Sequence, residues 1–144
     1  MKNCNSEFID EVYRNASVAL LSIKNVMDSV DNNGLRTEMR QEYDGYDNFI
    51  RELSSYMRDK GYQIKDVSKP KKMMMWSAIK MNTAFDDSKS HISEIMKKGT
   101  VMGITEHTKI LNDCSCVTDE KALDFAKRLL ALEEEYEQNL KKFL

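Results

Sequence analysis

Residues 38–56 read EMRQEYDGYDNFIRELSSY. Around this stretch Met39, Tyr43, Tyr46, Ile50, Leu53 and Met57 recur at alternating steps of four and three, with Leu35, Glu42, Phe49 and Tyr56 alongside. That alternation is the period of an inward-facing helix stripe; a strand would alternate every second residue. The stripe predicts a helix over about 35–60. Gly61 followed by apolar Tyr62 predicts a Schellman stop, because glycine accepts the left-handed backbone at which such helices end.

The same period extends outward in both directions. Upstream, Ile9, Tyr13, Ala16, Leu20, Ile23, Met27 and Val30, widened by Val12, Ala19 and Val26, predict a helix over about 6–30. Asp31-Asn32-Asn33-Gly34 closes it into a tight antiparallel hairpin with the next helix. Downstream, Ala122, Ala126, Leu129, Glu133, Tyr136, Leu140 and Phe143 predict a last helix over about 118–143, capped by Thr118 with Asp119 and Glu120 in its first turn. A third long helix is expected over about 88–112, capped from Asp86-Asp87-Ser88 and carrying Ile92, Ile95, Met96, Met102, Ile104, Ile110 and Leu111. Gly99 and Gly103 interrupt it, which implies a kink or a close contact. Pro70 suits the first turn of a short helix over about 70–85. A helix of that length spans roughly 22 Å, enough to carry the chain from one end of a bundle to the other. Helices two and three are then parallel, and Cys4, Cys114 and Cys116 share one end. In a plain up-and-down bundle they would lie at opposite ends, more than about 30 Å apart.

Composition agrees with one all-α domain over 1–144. The chain has 144 residues, with only 5 Gly and 1 Pro to punctuate turns, too few for an all-β fold. Lys and Arg number 22 against 24 Asp and Glu, a net charge of −2, which removes the electrostatic case for a nucleic-acid partner. No run of 18 apolar residues suggests a transmembrane helix, and the N-terminus MKNCNSEFIDE lacks the apolar core of a signal peptide. Three cysteines, an odd number in a chain large enough to fold without bridges, point to reduced thiols and a cytoplasmic location.

On its helix order, on the crossover segment with its tryptophan (MMMWSAI, residues 73–79) and on EMRQEYDGYDNFIRELSSY, the chain resembles the ferritin-like four-helix bundle superfamily. Within it, the chain looks most like the small bacterial ferritin-like domains of unknown function. The resemblance implies a fold in which a short helix crosses between helices two and three. It also implies a metal site built from one Glu on each of two helices and a Glu-x-x-His pair on each of the others. No Glu-x-x-His occurs here: Ser88 precedes His91 by three, and Ile104 precedes His107 by three. Three residues after Glu42 stands Gly45, and three after Glu133 stands Tyr136. Folding each hairpin about its turn brings Lys24 level with Glu42 and Lys98 level with Glu133, so internal carboxylate–lysine pairs are expected. The family's ferroxidase or oxygenase activity therefore does not carry over.

The sequence thus implies a bundle with a degenerate metal site, no catalytic residue and no cofactor, working structurally or through protein contacts as a homo-oligomer or with a protein partner. The alternative is a divergent carboxylate-based protein that binds iron or another divalent metal, or an oxidase, using Glu42, Glu106, Glu133 and Tyr136. His107 reads as a surface imidazole and Cys114-Ser115-Cys116 as an ordinary loop, with soft-metal or disulfide chemistry at Cys4, Cys114 and Cys116 as the sharper reading. KPKKMMMWSAIKM (69–81) reads as the crossover helix laying its apolar face on the bundle, or else as a partner-binding or membrane-surface helix.

Overall fold

The structure, a computed structural model, describes residues 4–68 and 86–144. Four long helices run over Cys4–Met27 (α1), Asn33–Asp59 (α2), Lys89–Asn112 (α3) and Glu120–Leu140 (α4), followed by a single 3₁₀ turn at Lys141–Phe143. No strand occurs among the described residues. The short helix expected over 70–85 lies outside them, as do MMMWSAI and the tryptophan.

The helix ends follow from local chemistry. Asn32 caps α2, its side chain accepting from Leu35 N at 2.9 Å. At the other end Tyr62 N donates to Met57 O at 2.8 Å, Gly61 N donates to Arg58 O at 3.1 Å, and Gly61 adopts a φ of 75°. These are the two bonds of a Schellman motif. Ser88 caps α3 through His91 N. The cap of α4 is Asp119, whose side chain accepts from Lys121 N and Ala122 N, and not Thr118 as expected. Thr118 is engaged elsewhere: Asn5 of α1 donates to its hydroxyl and accepts from its N–H.

The buried face of α2 is Leu35, Met39, Glu42, Tyr46, Phe49, Leu53, Ser54, Tyr56 and Met57, with Tyr43 and Ile50 only half-buried. It shares Met39, Tyr46, Leu53 and Met57 with the expected stripe and adds the flanking Leu35, Glu42, Phe49 and Tyr56, so the helix is turned toward that flank. The cause is an aromatic ladder against α4. Tyr46 packs edge-on to Tyr136 with ring centroids 5.2 Å apart, and Phe49 and Tyr56 meet Phe125 at 5.9 and 5.3 Å. On α1 the core positions are Ile9, Val12, Ala16, Ile23 and Val26. Helix α3 contributes least, burying only Ile92, Ser93, Met96 and His107.

Contacts at the ends fix the helix directions. The start of α1, the end of α2 and the start of α4 meet: Cys4 is disulfide-bonded to Cys116, and Asp119 accepts from the hydroxyls of Tyr56 and Tyr62. At the opposite end, the turn between α1 and α2 shares a cleft with Asp87, Ser88 and Ile92 at the start of α3, and Gly34 lies against Phe143. Helices α1 and α4 therefore start at one end, and α2 and α3 at the other. The expectation of three reduced thiols is corrected for Cys4 and Cys116, whose Cα atoms stand 6.1 Å apart, inside the range of a disulfide. Cys114 is free. No helix among the described residues is long and apolar enough to cross a membrane.

Candidate functional site at mid-bundle

Each helix sends a polar side chain toward the middle of the bundle. From α2 come Glu42 and, one turn earlier, half-buried Glu38; from α4 come Glu133 and Tyr136. From α1 comes Asn15, and from α3 comes His107. Glu42 and Glu133 are each 1% exposed. Among the described residues neither meets a lysine, which corrects the expected pairs: Lys24 is exposed, and Lys98 sits at the surface bridged to Glu94 at 3.0 Å. The physical reason is angle around the helix axis. At this level the flank of α1 presents Asn15 and the flank of α3 presents Gly103, while both lysines lie beyond the packed face.

Among the described residues no cation stands against either acid, and burial favours the protonated form of both. Burial, then a hydrogen bond shared with the Glu38 carboxyl, pushes Glu42 up to about 9 from an ordinary 4.5. Burial and, after it, the charge of Glu134 push Glu133 up to about 8. Burial first, and then the nearby charges of Glu133 and Glu42, raise the Tyr46 hydroxyl well above its ordinary range. Among the described residues four buried oxygens of the site's acids, Glu38 Oε2, Glu42 Oε2, Glu133 Oε1 and Glu133 Oε2, have no hydrogen-bond partner.

His107 contradicts its reading as a surface imidazole: it is wholly buried. Its position is on the inner register of α3 with Ile92, Met96 and Gly103. Nε2 donates to Ala126 O at 2.7 Å, which leaves Nδ1 as acceptor for the Asn15 amide at 3.4 Å. The Asn15 amide also donates to Gly103 O at 3.1 Å. Burial lowers the His107 pKa, in keeping with a neutral ring. The imidazole thus ties α1, α3 and α4 together and has neither nitrogen to spare for a metal. Glu106, its neighbour, is exposed, so it does not join Glu42, Glu133 and Tyr136.

Two glycines make the centre possible. A Cβ on Gly103 would stand 3.3 Å from Asn15 Oδ1 and 3.6 Å from both Glu133 oxygens, so this is the close contact that the interrupted helix implied. Gly99 faces open space. A Cβ on Gly45 would overlap the Tyr136 hydroxyl and lie 3.1 Å from Cζ. Tyr136, three residues after Glu133, therefore lies over Gly45, three residues after Glu42.

Sequence reasoning missed Glu38, Asn15 and the burial of His107. Glu38 had a legible signal, since residues four apart share a helix face. Asn15 had none, because an isolated polar residue at a stripe edge is ordinarily solvated. Among the described residues, no three His, Cys, Asp or Glu side chains are gathered so as to hold a metal ion. Comparison with protein-family models, with curated proteins and with solved structures finds no match for this chain.

Proposed function

We propose that the chain is a ferritin-like bundle whose mid-bundle metal position has become a neutral acid–tyrosine core, and that it acts non-catalytically, as a structural or protein-binding module. The ferritin-like reading is supported by the helix directions, with α2 and α3 starting at one end and α1 and α4 at the other. The observation that carries the loss of the site is Tyr136 over Gly45. A di-iron pair needs about six ligands in fixed places, and here one histidine position has no side chain while the other bears a phenol. His107 is consumed by hydrogen bonds and Glu106 faces solvent. The donor set does not fit a two-metal centre. Exposed Val101, Met102 and Leu144, beside Lys97 and Lys98, supply an apolar surface for a second copy or a protein partner.

One observation favours the second reading, a single hard divalent cation: the unpartnered oxygens of Glu133 and Glu42 would be satisfied by one. Metal analysis of protein purified without chelator, with melting curves in manganese, ferrous iron and chelator, separates the two. The neutral-core reading expects far less than one metal per chain and one melting temperature throughout. Stoichiometric metal, lost together with its stabilisation in Glu133→Gln, would establish the second reading and overturn the first.

A further inference from the structure

The start of α1 and the turn between α3 and α4 bring all three cysteines to one end of the bundle. Cys4 is half-buried, and its disulfide partner Cys116 is exposed. Cys114 is a free thiol two residues from Cys116, half-buried at the edge of the core. Both belong to one turn, closed by Val117 N donating to Cys114 O at 3.0 Å. A four-residue turn closes within about 7 Å, so residues two apart inside it fall within the roughly 4.4–6.8 Å between Cα atoms that a disulfide accepts. By Cα separation, Cys116 is therefore within reach of Cys114 as well as of Cys4.

A second set of contacts holds this end independently of sulfur. Asn5, next to Cys4, accepts from Thr118 N at 2.9 Å and Asp119 N at 3.2 Å, and donates to the Thr118 hydroxyl at 3.0 Å. Val117 is buried in the core beside them. When the disulfide opens, this clasp keeps the Cys4 thiol beside the turn. A bridge that only fastened two elements would need no free thiol in the same turn and no parallel clasp.

We propose that Cys4, Cys114 and Cys116 form a thiol–disulfide exchange centre that takes a low-molecular-weight thiol. The thiolate of the small molecule attacks Cys116 Sγ from solvent. The Cys4–Cys116 bond breaks, its electron pair leaves on Cys4, and a mixed disulfide forms on Cys116. Cys114, as thiolate, then attacks Cys116 Sγ, forms Cys114–Cys116 and expels the small thiolate. The proton given up by Cys114 is matched by the one Cys4 takes up. The small thiol is regenerated, so nothing is oxidised or reduced overall, and α1 exchanges a covalent tether for the Asn5 clasp. Exposed Cys116 is the entry point, Cys114 the resolving thiol and Cys4 the leaving group.

The test uses the full chain, oxidised, with a small amount of reduced glutathione, acid quench, alkylation and peptide mapping. The expected result is a population in which Cys4 is alkylated and Cys114 is bonded to Cys116. Retention of Cys4–Cys116 in every chain, with alkylation at Cys114 alone, overturns the proposal. A second measurement isolates the resolving step. Cys4→Ser, treated with glutathione disulfide, should clear its adduct on Cys116 into Cys114–Cys116. Cys4→Ser/Cys114→Ser should keep the adduct at least about tenfold longer. Equal adduct lifetimes in the two variants would show that Cys114 does not resolve, and would likewise overturn it.

Discussion

Replacing Glu133 by glutamine changes one property of the core, the ability of that carboxyl to lose its proton in the unfolded chain. In the folded protein burial holds the group at about 8, against 4.5 unfolded. A folded pKa raised in this way contributes stability that is fully present below the unfolded value and is lost as pH rises through the folded one. Between 4.5 and 8 the folded chain keeps a proton that the unfolded chain has released. Each pH unit in that window costs about 1.36 kcal/mol. From pH 5 to pH 7, allowing for partial titration at pH 5, the loss from Glu133 alone is about 2.5 kcal/mol. Glutamine has the same length and no proton to lose, so Glu133→Gln should shed this part of the pH dependence. The Glu42 contribution, which has the same sign, should remain. Urea unfolding of both proteins at pH 5 and pH 7, in chelator and with matched m values, measures the difference directly. The free-energy gap between variant and wild type should shift in favour of the variant by about 2.5 kcal/mol from pH 5 to pH 7. A shift below about 0.5 kcal/mol would mean that Glu133 is ionised in the folded chain and that the neutral-core argument is wrong.

Gly45→Ala should destabilise by about 1–3 kcal/mol in urea unfolding, because its Cβ overlaps the Tyr136 hydroxyl, and Tyr136→Phe added to it should restore part of the loss. An unchanged midpoint would deny the contact. Asp119→Ala should cost about 2 kcal/mol or more by the same assay, since it removes the α4 cap and strips the Tyr56 and Tyr62 hydroxyls of their acceptor. A cost near the few tenths of an exposed surface change would contradict it. Asn15→Ala should cost about 1–3 kcal/mol, because it leaves His107 Nδ1 without its donor and takes from Gly103 O the side-chain bond it accepts beside its helical one. A shift of His107 proton resonances in the variant checks that the imidazole feels the loss.

The long helices were legible because their period is written many times over. Seven periodic positions on the first helix, six on the second and seven on the last, all apolar or aromatic but Glu133, each point to a helix, and one wrong residue changes nothing. The phase of α2 was not legible. Met39, Tyr46, Leu53 and Met57 belong equally to two stripes, and the choice between the flank of Glu42, Phe49 and Tyr56 and the flank of Tyr43 and Ile50 depends on where α4 puts Phe125 and Tyr136. That is information from another part of the chain, and periodicity within one helix cannot carry it. The cap of α4 failed for the same reason: Thr118 and Asp119 are both good caps, and Asn5, more than a hundred residues away, takes the threonine.

The mid-bundle site sharpens this distinction between local and distant information. Glu42 and Glu133 were readable as inner-face acids from their own helices, and burial agrees. Their partners were not, because level-matching across a hairpin gives height along the axis and says nothing about angle around it. Lys24 is exposed, and Lys98 faces out to bridge Glu94. Glu106 and His107 show the cost of an error of one residue in angle: a step of about 100° exchanges solvent for core, and the imidazole took the place expected of the carboxylate. Gly45 and Tyr136 carry the reverse lesson. Each, read within its own helix, says nothing about the other. Together they are complementary, the Tyr136 phenol occupying the space that a Gly45 side chain would fill. The contact is made by two helices at once, so neither helix discloses it alone, and the acids beside it are best tested by proton linkage, which reads their burial directly.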